Sequence, residues 1–357
     1  MRRPPRNIAS RRFFLQTLAS GAMLGFAAPC RPANSDREMP YFKTRGVVLI
    51  PDDLTLEDWP ARAKQANLTT IALHNHQSIQ TVTDLIQSEK GAKFLSQCRE
   101  LKLEVEYELH AVKDLLPRDL FDKNPALFRM NETGERVPDF NLCVSNEQAI
   151  DVVCEKAVAV SEILRPTTGR YFFWGDDAKP WCRCSKCREL SETDQALVLE
   201  NRILNALRRI DPNAQLAHLC YANTLSPPAA VQPAAGIFLE FAPIERHFDI
   251  PFDTPHDAQQ KRHLELLDVN LEIFGSETAQ ALEYWLDVSK FTGYKKPAKK
   301  LPFHHDCFRA DLDTYGSRGI RHITTFAAYI DAEYVANHGD PPLDIYGREL
   351  AAWKPCD

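Results

Sequence analysis

Eight short apolar runs, each followed by a stretch of helical amphipathic periodicity, recur between residues 46 and 328 with no low-complexity linker among them. The runs cover residues 46–50, 68–74, 103–110, 171–174, 215–221, 236–241, 281–286 and 322–328. Stretches such as Tyr171-Phe172-Phe173-Trp174 and Ile237-Phe238-Leu239 lack the polar alternation of a half-exposed strand and read as strands covered on both faces. A crossover helix between consecutive strands returns the chain to the same end of the sheet, which forces parallel pairing. Eight such units close most simply into a (β/α)8 TIM-type barrel, expected as one domain over residues 39–357.

The helices carry their own signals. Ser145 with Gln148 reads as a capping box, and Ile150, Val153, Ala157, Val160 and Leu164 follow at helical spacing until Arg165-Pro166 ends the run. Ser191 with Asp194 begins another helix, whose apolar face is Leu199, Ile203, Ala206, Leu207 and Ile210. About 34 residues separate His110 from Ser145, where connections of two to six are usual in such folds, so a long insertion after strand three is expected to help build a site. Within it Asn131-Glu132-Thr133-Gly134 is a tight-turn signal and predicts a small hairpin over the barrel mouth.

The N-terminus has the build of an export signal. Arg2, Arg3, Arg6, Arg11 and Arg12 precede an apolar run from residue 13 to 28, and Ser10-Arg11-Arg12-Phe13-Phe14-Leu15 fits the twin-arginine type. The run is broken by Gln16, Ser20 and Gly21 and is short for a stable membrane span. The expectation is a signal and short linker over residues 1–38 and a periplasmic or extracellular protein, with lipid attachment at Cys30 as the alternative. Without residues 1–38 the chain holds 36 basic and 47 acidic side chains, a formal charge of −11. Such a surface repels phosphate backbones and anionic lipid, which argues against nucleic acid and membrane surfaces as partners. Oligomeric state is left open.

In a parallel barrel, chemistry sits where the strands finish. Strand one ends at Asp52-Asp53, strand two at His74-Asn75-His76, strand three at Glu108 and His110, and strand four at Trp174-Gly175-Asp176-Asp177. Strand five ends at Tyr221 and Asn223, strand six at Glu240, Glu245 and Arg246, and strand seven at Tyr284, Trp285 and Asp287. Asp176 and Asp177 are the sharpest pair. Two adjacent carboxylates delivered by an apolar strand repel one another, and a raised pKa on one suits a general acid. The structural alternative is that one aspartate caps a turn while the other pairs with Lys179 or Arg183. Glu108, Glu240 and Glu245 are further acid or base candidates, since glycoside cleavage generally uses two opposed groups. Trp174 offers a face for a sugar ring or a core filler, and Trp285, Tyr221, Asn223, His110 and His304 are candidate substrate contacts.

Cys182, Cys184 and Cys187 follow the acidic pair closely and make a partial zinc site, but a structural site wants four ligands and no second Cys-x-x-Cys is present. Zinc, a local disulfide and free thiols stay open as readings. No other cofactor is required. His74 and His76, with His304-His305-Asp306 later in the chain, keep a metal-dependent hydrolase in view, although spacing fixes no acidic ligand beside them. Their plainer reading is sugar-hydroxyl binding or packing at the barrel mouth.

Taken in order, Asn124-Pro125-Ala126-Leu127-Phe128, the turn at Gly134, Asn141-Leu142-Cys143-Val144-Ser145-Asn146, Trp174-Gly175-Asp176-Asp177 and Cys182-Arg183-Cys184-Ser185-Lys186-Cys187 resemble an exported bacterial family, domain of unknown function 4838, part of which is classed as glycoside hydrolase family 163. The resemblance implies a (β/α)8 barrel acting on glycans, with relatives that release N-glycans as endo-β-N-acetylglucosaminidases. Related barrels acting on N-acetylhexosaminides place Asp-Glu after a glycine at the end of strand four. The first orients the substrate's 2-acetamido group and the second protonates the leaving oxygen. By that resemblance Asp176 orients and Asp177 protonates, with Asn141 near the substrate and Glu240 or Glu108 as substitutes for the shorter acid. The leading expectation is a secreted glycosidase with a glycan substrate and substrate-assisted retention. A non-catalytic glycan-binding barrel and a metal-dependent hydrolase are the alternatives.

Overall fold

The computed structural model describes residues 39–254 and 256–355. All eight expected strands form: β1 Thr44–Leu49, β2 Thr70–His74, β3 Glu104–His110, β4 Arg170–Trp174, β5 Gln215–Cys220, β6 Ile237–Phe241, β7 Gln280–Glu283 and β8 His322–Phe326. Each pairs in parallel with the next, and β8 closes on β1 with Thr44 opposite His322. Helices follow the strands around the outside, giving the (β/α)8 barrel that the apolar periodicity predicts. The described residues from Pro40 onward form one compact unit. The expected export signal, with Cys30, lies outside the described residues. No helix among the described residues is long and apolar enough to cross a membrane.

Local chemistry explains where the elements begin. The Ser191 hydroxyl accepts from Asp194 N–H at 3.0 Å while Asp194 accepts from Ser191 N–H at 3.3 Å, the reciprocal cap expected for the helix Glu192–Leu207. The helix Glu147–Ile163 starts one residue later than the Ser145 reading. Asn146 is its cap, accepting from Ala149 N–H at 3.2 Å, and Ser145 turns toward a group of cysteines instead. The hairpin expected near Gly134 shrinks to one antiparallel bridge, Met130 with Arg136. The Asn131 side chain takes the N–H groups of Thr133 and Glu135, at 3.1 and 2.9 Å, so a side chain satisfies donors that a longer ladder would otherwise use.

The barrel interior is not wholly apolar. Glu106 and Glu108 of β3, Arg170 of β4, Glu240 of β6 and Gln280 of β7 are all buried there. The Gln280 amide nitrogen donates to Glu240 at 2.9 Å and to Glu108 at 3.3 Å, while its oxygen accepts from Arg170 at 2.9 Å. Arg170 also lies over the Phe238 ring, 3.9 Å from its centroid. Three carboxyls facing one guanidinium cannot all ionise cheaply at this depth. Burial pushes Glu240 up to about 8 and raises Glu108 well above its ordinary range, with Glu240 and Glu106 adding to the rise at Glu108.

Candidate active site

At the C-terminal ends of the strands opens a cavity of about 410 Å³, within the size range of small-molecule sites. Its apolar lining comes from Ile50, Leu219, Leu282, Phe326 and Trp174. Tyr221, Tyr284, Tyr294 and Tyr329 add aromatic walls, and His74, His76, His110, Asp177, Asp287 and Ser289 supply polar groups.

The Trp174 indole is set by what lies beneath it, for its N–H donates to Glu240 Oε2 at 2.9 Å in the barrel interior. His74 Nδ1 lies 2.7 Å from the Glu108 carbonyl and His110 Nδ1 lies 2.7 Å from the Gly175 carbonyl. A carbonyl only accepts, so both rings carry their proton on Nδ1 and keep Nε2 for other contacts. Burial first, and then the neighbouring His110, lowers the His74 pKa to about 3, which makes it a neutral polar group. His110 Nε2 stands 3.8 Å from Asp177 Oδ1, and Tyr221 donates to the same oxygen at 3.0 Å.

The two cavity carboxyls sit in different surroundings. Asp177 has 61% of its side-chain surface exposed. Asp287 is buried and heads the short helix Val288–Phe291, where the Ser289 hydroxyl and the Lys290 N–H both bond to its Oδ1, at 2.5 and 3.2 Å. Burial outweighs these bonds and raises its pKa. A carboxyl that holds its proton longer than usual, in the same aromatic cavity as a more exposed carboxyl, suits proton donation to a leaving oxygen.

Strain is concentrated at this end of the barrel. Of seven non-glycine residues with positive φ among those described, Asn141, Ala178, Ala222, Tyr294 and Tyr329 lie in the loops that follow strands. Each such conformation costs about 1–3 kcal/mol and persists only where neighbours enforce it. Tyr329 shows the enforcement: its N–H donates to Asp53 Oδ1 at 2.9 Å, and Asp53 Oδ2 accepts from Ile50 N–H at 2.8 Å. Asp53, at the end of strand one, thereby shapes the rim without lining the cavity.

Of the residues expected at the site, the cavity brings together His74, His76, His110, Trp174, Asp177 and Tyr221. Asp176 does not join them. Its carboxylate accepts from Lys113 N–H at 2.9 Å and Asn141 N–H at 2.5 Å, so it knits two loops instead of orienting a ligand. Asn141 is the other half of that knot, accepting from Asp176 N–H at 2.9 Å and donating to the Lys179 and Pro180 carbonyls, both at 3.1 Å. Gly175 is required beside it, since a Cβ there would come within 2.8 Å of the Trp181 ring. Glu108 and Glu240 lie beneath the cavity in the barrel interior and do not line it.

Asn223 is tied to the Lys179 carbonyl at 2.9 Å and borders a neighbouring groove with the exposed Glu245. Trp285 lies in the turn beyond the end of β7 and does not line the cavity. It is buried with its indole donating to Asp311 at 2.9 Å, while Tyr284 takes the cavity side. His304 is exposed at the start of the helix His305–Ser317 and does not line the cavity. Tyr284 and Asp287 were visible as strand-seven end residues. Ser289 comes from the short helix Val288–Phe291, and Tyr294 and Tyr329 come from loops, where no periodicity indicates direction.

Among the described residues, the groups of His, Cys, Asp or Glu whose ligand atoms converge closely enough for a metal reduce to one, and it consists of four cysteines away from the cavity lining. The cavity histidines form no such group.

Among solved structures with a similar fold are two β-galactosidases. The GH42 β-galactosidase Gan42B from G. stearothermophilus has a TM-score of 0.54 and 12% identity, with 87% of this chain and 57% of that chain covered. The cold-adapted β-galactosidase from Rahnella sp. R3 has a TM-score of 0.51 and 13% identity, with 87% and 56% covered. This chain thus spans a little over half the length of each, and identities this low speak to the fold alone. No curated protein matches the sequence. The model of a domain of unknown function, DUF4838, matches residues 32–290, well over half the chain, and the chain belongs to that family.

Proposed function

We propose that this chain is an exported glycoside hydrolase acting on β-glycans that contain N-acetylhexosamine, related to the part of its family classed as glycoside hydrolase family 163. The observation that carries the reading is the aromatic cavity at the strand ends with Asp287 buried on one element and Asp177 exposed on another. Asp287 is the proton donor, because burial keeps it protonated further toward neutral pH. Asp177, with Tyr221 donating to it, is the carboxylate that orients the substrate or steadies positive charge at the sugar ring. In a substrate-assisted reaction the acetamido oxygen attacks the anomeric carbon, and the second carboxylate then positions that acetamido group. The orienting role thereby passes from Asp176 to Asp177. The exported location rests on the arginine-rich and apolar residues 2–28.

The test is turnover of a panel of N-acetylhexosamine-containing glycans and aryl glycosides by the purified chain, its Asp287→Asn variant and its Asp177→Asn variant. Loss of the proton donor should slow natural glycans far more than aryl glycosides, whose leaving groups need no proton. Loss of the orienting carboxylate should slow both. Saturable glycan binding with no product at any pH would sink the enzyme reading in favour of a glycan-binding barrel.

A further inference from the structure

The sequence offers three cysteines in one loop, and the fold delivers a fourth. Cys182, Cys184 and Cys187 belong to the loop after β4, and Cys143 arrives from the end of the long insertion after β3. All four are buried, and their sulfurs lie within 4.8 Å of one another. Cys143 Sγ is 3.8 Å from Cys184 Sγ and 3.9 Å from Cys187 Sγ. A tetrahedron of sulfurs about 2.3 Å from a zinc ion has edges of about 3.8 Å. A disulfide instead draws one pair to about 2.05 Å and leaves the other two sulfurs gathered without a purpose.

The surroundings suit four thiolates, whose charge exceeds that of the ion by two. Met130 N–H donates to Cys182 Sγ at 3.3 Å, the Arg136 guanidinium lies 3.7 Å from the same sulfur, and the Ser145 hydroxyl lies 3.2 Å from Cys143 Sγ and 3.5 Å from Cys184 Sγ. Gln195 fixes the loop from behind, accepting from Cys182 N–H at 3.1 Å and donating to the Cys182 and Cys187 carbonyls, both at 3.2 Å. Donors aimed at the sulfurs and a frame holding the ligand-bearing backbone are the outer parts that a metal centre needs.

We infer that Cys143, Cys182, Cys184 and Cys187 form a structural zinc site that staples the loop after β3 to the loop after β4. With all four positions filled by protein it leaves no place for substrate and does no chemistry itself. Its effect on function runs through position. Asn141 lies two residues before Cys143 and is bonded to Asp176, next to Asp177.

The test is elemental analysis of the full chain purified without added metal, with thiol titration alongside. One equivalent of zinc per chain is expected, falling below about a tenth of an equivalent after dialysis of Cys143→Ser. Cys220→Ala, which alters a buried cysteine outside the group, should keep the full equivalent. Should Cys143→Ser fail to fold, exchange of the natural chain into cobalt decides: tetrahedral d–d bands with intense sulfur-to-metal charge transfer are expected. Metal-free protein, a disulfide between any two of the four, iron in place of zinc, or a cobalt spectrum without thiolate bands would each overturn the assignment.

Discussion

Two sets of acidic side chains stand one above the other in this barrel and meet opposite fates. In the interior, Glu106, Glu108 and Glu240 are sealed beneath Trp174 and answer to Arg170 and Gln280. Above it, Asp177 and Asp287 open onto the cavity. The functional group is a carboxyl in both sets; what separates them is access. A carboxyl without a route to a ligand is a structural load that must be protonated or paired, whereas a carboxyl at the mouth can exchange its proton with something that enters.

The largest expected effect tests the upper set. Asp287→Asn should lower kcat on natural glycans by about 10²–10⁴-fold, while the thermal midpoint stays near that of the natural chain because Asn also caps helices well. Unchanged kcat would remove Asp287 from the acid role. Next comes the lower set: Glu240→Ala strands the Trp174 indole N–H and a Gln280 donor, and should cost about 1–3 kcal/mol in denaturant unfolding. If stability were unaffected, the interior carboxyls would not be the structural load described.

A further effect on the lower set comes from pH. Glu240 holds its proton in the folded chain up to about 8, above its ordinary carboxylate value. The folded state therefore binds a proton that the unfolded state has released. That stability is fully present below the ordinary value and is lost as pH rises toward 8. Thermal midpoints between pH 5 and 9 should fall by roughly 2 °C for each kcal/mol lost, and Glu240→Gln should flatten the fall. A midpoint that climbs across this window would contradict the account. The smallest change expected is Tyr221→Phe, which removes one hydrogen bond to Asp177 and should lower kcat/KM by about threefold to tenfold without moving the midpoint.

The barrel was legible because its determinants are local and periodic. Continuous apolar runs and the Ser191–Asp194 cap announce themselves within a few residues of their own position. The site was legible only in part, for two physical reasons. Adjacent residues at a strand end leave in different directions, so Asp176 and Asp177 look equivalent in sequence, yet one is consumed by the N–H groups of Lys113 and Asn141 and the other reaches the cavity. The turn after β7 likewise puts Tyr284 in the cavity lining and buries Trp285 elsewhere. Secondly, contacts between distant loops leave no spacing to read. Cys143 stands alone in sequence, and only the pairing of β3 with β4 carries it to Cys182, Cys184 and Cys187. Ser145 shows the cost of a purely local reading, since its hydroxyl is drawn to those sulfurs and the cap moves to Asn146.

The bond from the Trp174 indole to Glu240 fixes how deep a ligand can descend. Because the floor is anchored from below, a bulkier guest cannot gain room by pushing that ring aside without breaking a buried contact. Adaptation to new ligands would therefore come by redrawing the rim, at Tyr294, Tyr329 and the loops around them, while the bottom of the well keeps one shape for every guest.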